Sequence, residues 1–173
     1  MSALTIRALT REDIPVFAAL ISASFAPVSA LYGLAQDTSL IPLTARLEEG
    51  LEAEEQQQFG AWEGGEPQGY FAVEARADAI FEINRLCIRP QAQGNGYGRQ
   101  LLDHAIAEIR RNGGRAAVCA VIGEDTPVLH WLTRNGFFEE AVGCLPGTSC
   151  SVCILQRNLN AAPGAAPDSG RPG

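Results

Sequence analysis

The chain has 173 residues, 46% hydrophobic and 19% charged, the composition of one ordinary globular domain with enough apolar material for a single core. A net charge of −7 and a pI near 4.8 exclude the basic stripe that nucleic-acid binders carry. The acidity serves solubility, and it would also suit a cationic amine as ligand.

In chain order, Leu4-Thr5-Ile6-Arg7-Ala8-Leu9 alternates and predicts an opening strand. Thr10, with Asp13 three residues on, predicts a capping box for a helix reaching about Ile21. Phe25 to Ile41 mixes Pro, Gly and Ser and reads as irregular or broken helix. Ile14 to Gln36 carries no charge and is long enough to span a bilayer, but Pro15, Pro27, Gly33, Gln36 and several serines interrupt it. No basic segment leads into an apolar core at the start, so a soluble, cytoplasmic protein without a membrane segment is expected. Pro42 to Gln58 reads as a second helix, and Phe59 to Glu63 and Gln68 to Glu74 as a hairpin across Gly64-Gly65-Glu66-Pro67.

Ile80 to Ile88 alternates until Arg89-Pro90 ends it, which predicts a strand. Leu101, Leu102, Ala105, Ile106 and Ile109 then recur at helical spacing up to the stop Asn112-Gly113-Gly114. Ala116 to Ile122 suits a buried strand, and Phe138 to Val142 and Ser149 to Arg157 suit two closing strands. From Asn160 the Pro/Gly/Ala-rich sequence cannot pack a core and reads as a disordered tail, so the expected division is a domain over 1–159 and a tail over 160–173. Short hairpins together with helical crossovers predict an α/β fold with a mixed sheet.

Of the five cysteines, Cys87 and Cys119 fall in predicted strands and read as small buried hydrophobes. Cys150-x-x-Cys153, with Cys144 nearby, has neither a second such pair nor a neighbouring histidine to complete four ligands, so no metal is expected.

Between the strand ending at Ile88 and the next helix lies Gln93-Gly94-Asn95-Gly96-Tyr97-Gly98-Arg99, with glycine at alternate positions. Glycine permits positive φ and close approach, so this turn can aim unpaired N–H groups of a helix N-terminus at an anion such as a phosphate. A P-loop is ruled out because no lysine follows the glycines. The dinucleotide fingerprint fails because Arg99 holds the third glycine's place and no acidic residue stands about 20 positions on.

Gln93, Gly96 and Gly98, preceded by Ile88-Arg89-Pro90, resemble the acetyl-CoA loop of the GNAT acyltransferase superfamily, Gln/Arg-x-x-Gly-x-Gly/Ala. A helix ending in Gly136-Phe137 is that superfamily's second signature, and the resemblance runs from about Leu4 to Leu159. It implies a GNAT fold, a mixed, mostly antiparallel sheet of about seven strands flanked by about four helices. It also implies acetyl-CoA as co-substrate and a primary-amine acceptor, either a small molecule or an N-terminal or lysine amine. Gln93 to Arg99 would hold pantetheine and pyrophosphate, with Arg99 adding charge near a phosphate. The N–H of Ile88, or of Cys87 beside it, would be the oxyanion donor.

Glu82 matches the glutamate base of the histone-acetylating branch, and its even spacing from Ile88, six residues on in the same strand, predicts that the two side chains share one face. The tyrosine that the family usually carries four residues before the Gly-Phe glycine, to protonate the departing thiolate, is replaced by Leu132. A thiol of pKa about 8.5 is a tolerable leaving group without an acid; Tyr32, Tyr70 and His130 are the substitutes to consider. The alternative reading is a CoA-binding regulatory module of weak catalytic power. Homodimers are common in the superfamily, and the sequence does not decide the oligomeric state.

Overall fold

A computed structural model describes residues 4–34 and 41–160. The expected tail therefore falls outside the described residues from 161 onward, as do residues 35–40 of the segment expected to be irregular. The elements are β1 (Thr5–Ala8), α1 (Ile14–Leu31), α2 (Leu43–Glu52), β2 (Gln56–Glu63), β3 (Glu66–Ala75) and β4 (Ile80–Ile88), followed by α3 (Tyr97–Arg111), β5 (Ala116–Ile122), α4 (Thr126–Arg134), β6 (Phe138–Cys144) and β7 (Ser151–Asn158). The strands form one seven-stranded sheet in the order β1-β2-β3-β4-β5-β7-β6. Every neighbouring pair is antiparallel except β4 and β5, which α3 connects as a parallel pair.

Each face of the sheet carries its own core. One is built from Phe71, Val73, Ile83 and Ile88 against Leu101, Leu102, Ala105 and Ile109 of α3, with Leu132 and Phe137 closing its α4 end. The other packs Tyr70, Ala72 and Cys87 under Ile14, Phe17 and Ile21 of α1 and Leu47 of α2. Arg11–Leu31 is long and apolar enough, by length and composition, to cross a membrane. Its stripe Ile14, Phe17, Ala18, Leu20 and Ile21 is nevertheless spent on the sheet, as a core helix spends it.

Two elements differ from the sequence expectation. The first helix runs past Ile21 and through Pro27 to Leu31. Pro27 removes one backbone donor, but the buried stripe already fixes the preceding turns, and the ladder closes again at Tyr32 N to Val28 O, 3.1 Å. The second helix ends at Glu52, and the polar run Gln56-Gln57-Gln58 belongs to β2. Gln58 is buried there because both ends of its amide are satisfied: Nε2 donates to Leu47 O at 2.7 Å, and Oε1 accepts from the Tyr70 hydroxyl at 2.8 Å.

The entry to α1 is pinned as the sequence predicts. Asp13 accepts from Thr10 N at 2.8 Å and from Thr10 Oγ1 at 2.9 Å, and pairs with Arg7 at 2.8 Å. The Arg7 hydrogen bond, aided by Thr10, lowers the Asp13 carboxyl from 3.8 to about 2. A depressed folded-state value means stabilisation that is present above about pH 4 and lost as pH falls through 2. Asp13→Ala should cost about 1 kcal/mol at pH 7, the usual worth of an N-terminal cap. The gap between the two proteins in urea denaturation should shrink as pH drops from about 4 toward 2.

Candidate active site

The parallel pair is short. β4 and β5 are paired only at Ile80↔Ala116, Phe81↔Ala117 and Glu82↔Val118, although β4 continues to Ile88 and β5 to Ile122. Beyond Glu82 and Val118 the two strands part, and among the described residues the later edge of β4 has no strand partner on that side. On its other side β4 stays paired with β3 as far as Gly69↔Ile88, and Arg89 N donates to Gln68 O at 2.9 Å. Hydrogen-bonded and non-hydrogen-bonded pairs alternate in an antiparallel ladder, so Ile88 is in a non-bonded pair and directs its N–H and C=O away from β3. The Ile88 carbonyl accepts from Gln93 Nε2 at 3.2 Å on that side. Its N–H faces the gap. By the same alternation the Cys87 N–H is turned toward Tyr70 of β3, so of the two expected oxyanion donors only Ile88 faces the parted strands.

A bulge just before this point changes the face assignment. Between Ala72↔Asn84 and Tyr70↔Cys87 the single residue Phe71 opposes both Arg85 and Leu86, and Arg85 has φ +51°. Glu82, Asn84 and Cys87 therefore share the α1/α2 face with Glu74, Ala72 and Tyr70, whereas Ile83 and Ile88 lie on the α3 face. The expectation that Glu82 and Ile88 share one face is corrected: the extra residue flips the period-2 alternation.

Past Ile88 the chain makes a 3-10 turn at Pro90–Ala92 and enters the glycine loop. Gly94 and Gly96 have φ +83° and +77°, values an L side chain would hold only under strain. The first backbone bond of α3 runs from Gln100 N to Gly96 O at 3.3 Å, so the N–H groups of Tyr97, Gly98 and Arg99 precede the helical ladder. Asn95 Nδ2 donates to Ala92 O at 3.3 Å and braces the turn.

The side chains of this segment do other work. Tyr97 is buried in the core, and its hydroxyl is engaged by Glu63, a hydrogen bond that raises its pKa. The Arg99 guanidinium is engaged by Asp103 at 2.9 Å and by Asn135 Oδ1 at 2.8 Å, tying α3 to the end of α4. What the loop presents is backbone.

Gly136-Phe137 proves to be a helix stop. Phe137 N donates to Leu132 O at 3.1 Å and Gly136 N to Thr133 O at 3.0 Å, with Gly136 at φ +83°. This is a Schellman end whose apolar contact is made by Leu132 and Phe137, both in the core. Leu132 thus holds α4 on the sheet and offers no proton. Tyr70 is committed to Gln58, and burial pushes its pKa well up. Tyr32 donates to Glu124 O at 3.0 Å, and His130 is exposed.

On the α1/α2 face a cavity of about 520 Å³ opens beside the parted strands, with Asn84 and Arg85 of β4 on one side and Ala120 of β5 on the other. Its polar wall also includes Arg46, Glu74 and Arg76. Glu74 and Glu82 are cross-strand partners, a repulsive arrangement that Arg76 bridges, 3.0 Å from Glu74 and 2.9 Å from Glu82 through its Nε. Asn84 Nδ2 donates to the other oxygen of Glu74 at 2.9 Å. Glu74, Asn84 and Arg85 line this candidate site and were not singled out from the sequence. The signal was the adjacent polar pair Asn84-Arg85, which breaks the strand's alternation where the bulge falls.

The profile described as the Acetyltransferase (GNAT) family matches residues 28–137, more than half of the chain. The chain belongs to the GNAT acetyltransferase family. A mycothiol acetyltransferase of Geodermatophilus obscurus is 33% identical over 90 residues, 49% of this chain and 29% of that protein, so the match spans less than a third of its length. Among solved structures, yncA of Salmonella typhimurium, assigned as an acetyltransferase and solved with its cofactor acetyl-CoA, is similar in fold (TM-score 0.73, 23% identity, 98% of this chain and 100% of that one). So is the ribosomal-protein-S18-alanine N-acetyltransferase of Escherichia coli (TM-score 0.72, 15% identity, 95% and 99%). The seven-stranded mixed sheet with four helices is the GNAT fold, as the resemblance implied.

The buried relay Leu47–Gln58–Tyr70 backs the Arg85 side of the cavity. Tyr70→Phe leaves Gln58 Oε1 unpaired in the core and should cost about 1–3 kcal/mol in urea denaturation.

Proposed function

We propose that the chain is an N-acetyltransferase that moves an acetyl group from acetyl-CoA directly to a primary amine. The observation that carries this reading is the Ile88 N–H, unpaired where β4 and β5 part, with the positive-φ turn and N-terminus of α3 directly downstream. The donor set fits a pyrophosphate: backbone N–H groups from Gly94 to Arg99 at the positive end of a 15-residue helix, with no carboxylate in that segment. Acetyl-CoA, when bound, supplies a thioester carbon open to attack by an amine. The Ile88 N–H would then donate to the carbonyl oxygen as negative charge develops there.

Direct transfer is favoured because the neighbouring thiols are inert. Burial pushes both Cys87 and Cys119 up to about 12, so neither offers a thiolate for a covalent acyl intermediate. The proton of an ammonium acceptor has to be removed on the cavity side. We assign this to the carboxylate pair Glu74–Glu82 bridged by Arg76, with Glu74 lining the cavity and Glu82 behind it across the strands. This keeps Glu82 in the reaction through its partner. The departing thiolate leaves without a tyrosine acid, since Leu132 is core. All five cysteines are free, which suits a reducing compartment and supports a cytoplasmic location.

Gly96→Glu sets a carboxylate and a strained residue at the turn. It should weaken CoA binding at least about 100-fold by isothermal titration, with cooperative unfolding retained. Unchanged affinity would contradict the site. For the base, Glu74→Gln should lower kcat/KM about 100-fold and remove its acid limb, while Glu82→Gln should produce a smaller loss of the same shape. Full rates at every pH in both variants would remove the pair from the mechanism.

A further inference from the structure

The charge inside the cavity runs against the charge of the chain. With a net charge of −7 overall, the molecule nevertheless lines this cavity with Arg46, Arg76 and Arg85 against the single acidic residue Glu74. Arg76 is consumed by Glu74 and Glu82. Arg85 differs: among the described residues no carboxylate pairs with it.

Arg85 is also unusually well placed. The bulge puts it on the same face as its chain neighbour Asn84, where regular alternation would have sent it into the α3 core. Its φ of +51° is a conformation that costs an arginine energy, and its guanidinium lies against the hydroxyl of the fully buried Tyr70, which Gln58 and Leu47 hold in turn. A guanidinium is a planar fork matched to two oxygens of an oxyanion, and here it stands on the wall of a cavity at the mouth of the parted strands. A polyamine would meet cations in that position.

We propose that the acceptor amine also bears a carboxylate, as a free amino acid does, and that this carboxylate docks on Arg85, leaving the amine toward Glu74 and the Ile88 gap. The proposal rests on the acetyltransferase reading above and names its substrate class.

Two readouts test it. The first is the affinity of the protein, with CoA present, for L-phenylalanine against L-phenylalaninamide and for L-methionine against L-methioninamide, by isothermal titration. The second is KM and kcat for the same pairs with acetyl-CoA. The acids should bind about 10–100-fold tighter than their amides, the worth of a charge-assisted pair, with the difference appearing in KM. Arg85→Asn, a residue that tolerates the left-handed backbone, should bring the acid-to-amide ratio close to one, and Arg85→Lys should restore part of it. Equal affinity for acid and amide, or a preference for spermidine or O-phosphoethanolamine over both, overturns the proposal while acetyl transfer itself stands. Absence of CoA binding and of turnover on every amine would overturn the acetyltransferase reading, and the proposal with it.

Discussion

The rest of the site depends on where the β4–β5 ladder stops. A parallel pair that ran its full length would have satisfied every backbone group on the inner edge of β4. Ending it after Glu82 and Val118 leaves Ile88 with an N–H turned toward no strand, yet β3 holds the same residue rigidly from the other side through Gly69 and through the Arg89 N–Gln68 O bond. The gap lies between the two faces of the sheet. The glycine loop and α3 lie on one face, and the cavity walled by Arg85 and Glu74 lies on the other. In the proposed reading, this central sheet is where the acetyl-CoA side and the acceptor side meet.

The bulge at Arg85 sets what each face of β4 presents beside the gap. A non-glycine residue at φ +51° costs about 1–2 kcal/mol, and the cost is tolerated because the flanking pairs Ala72↔Asn84 and Tyr70↔Cys87 are held by the packing of both cores. The extra residue returns Ile88 to the α3 face, in register with Gly69, where an added Cβ would meet the Cys87 carbonyl at 2.8 Å. It also sets Asn84 and Arg85 side by side on the cavity wall.

Much of this was legible in the residues. The glycine turn, the strand ended by Arg89-Pro90 and the helix stopped by Gly136 are local devices, and each formed as its chemistry dictates. What was not legible was tertiary. Gln56 to Gln58 form a strand because Leu47 and Tyr70 satisfy Gln58 from distant elements, and α1 outlasts Pro27 because its apolar stripe is held on the sheet. The bulge was half visible in Asn84-Arg85, and without it the parity of Glu82 and Ile88 came out reversed. The roles of Arg99 and Tyr97 depended on partners, Asn135 and Glu63, that no local pattern announces.

The most direct test of the central claim is an amide chemical-shift titration of the isotope-labelled protein with CoA and with acetyl-CoA. Both ligands should move the amides of Gly94, Gly96 and Gly98, and the acetylated form should in addition move the amide of Ile88. An Ile88 amide that is indifferent to the acetyl group, with the loop amides unmoved by either ligand, would contradict the placement of the site between the parted strands.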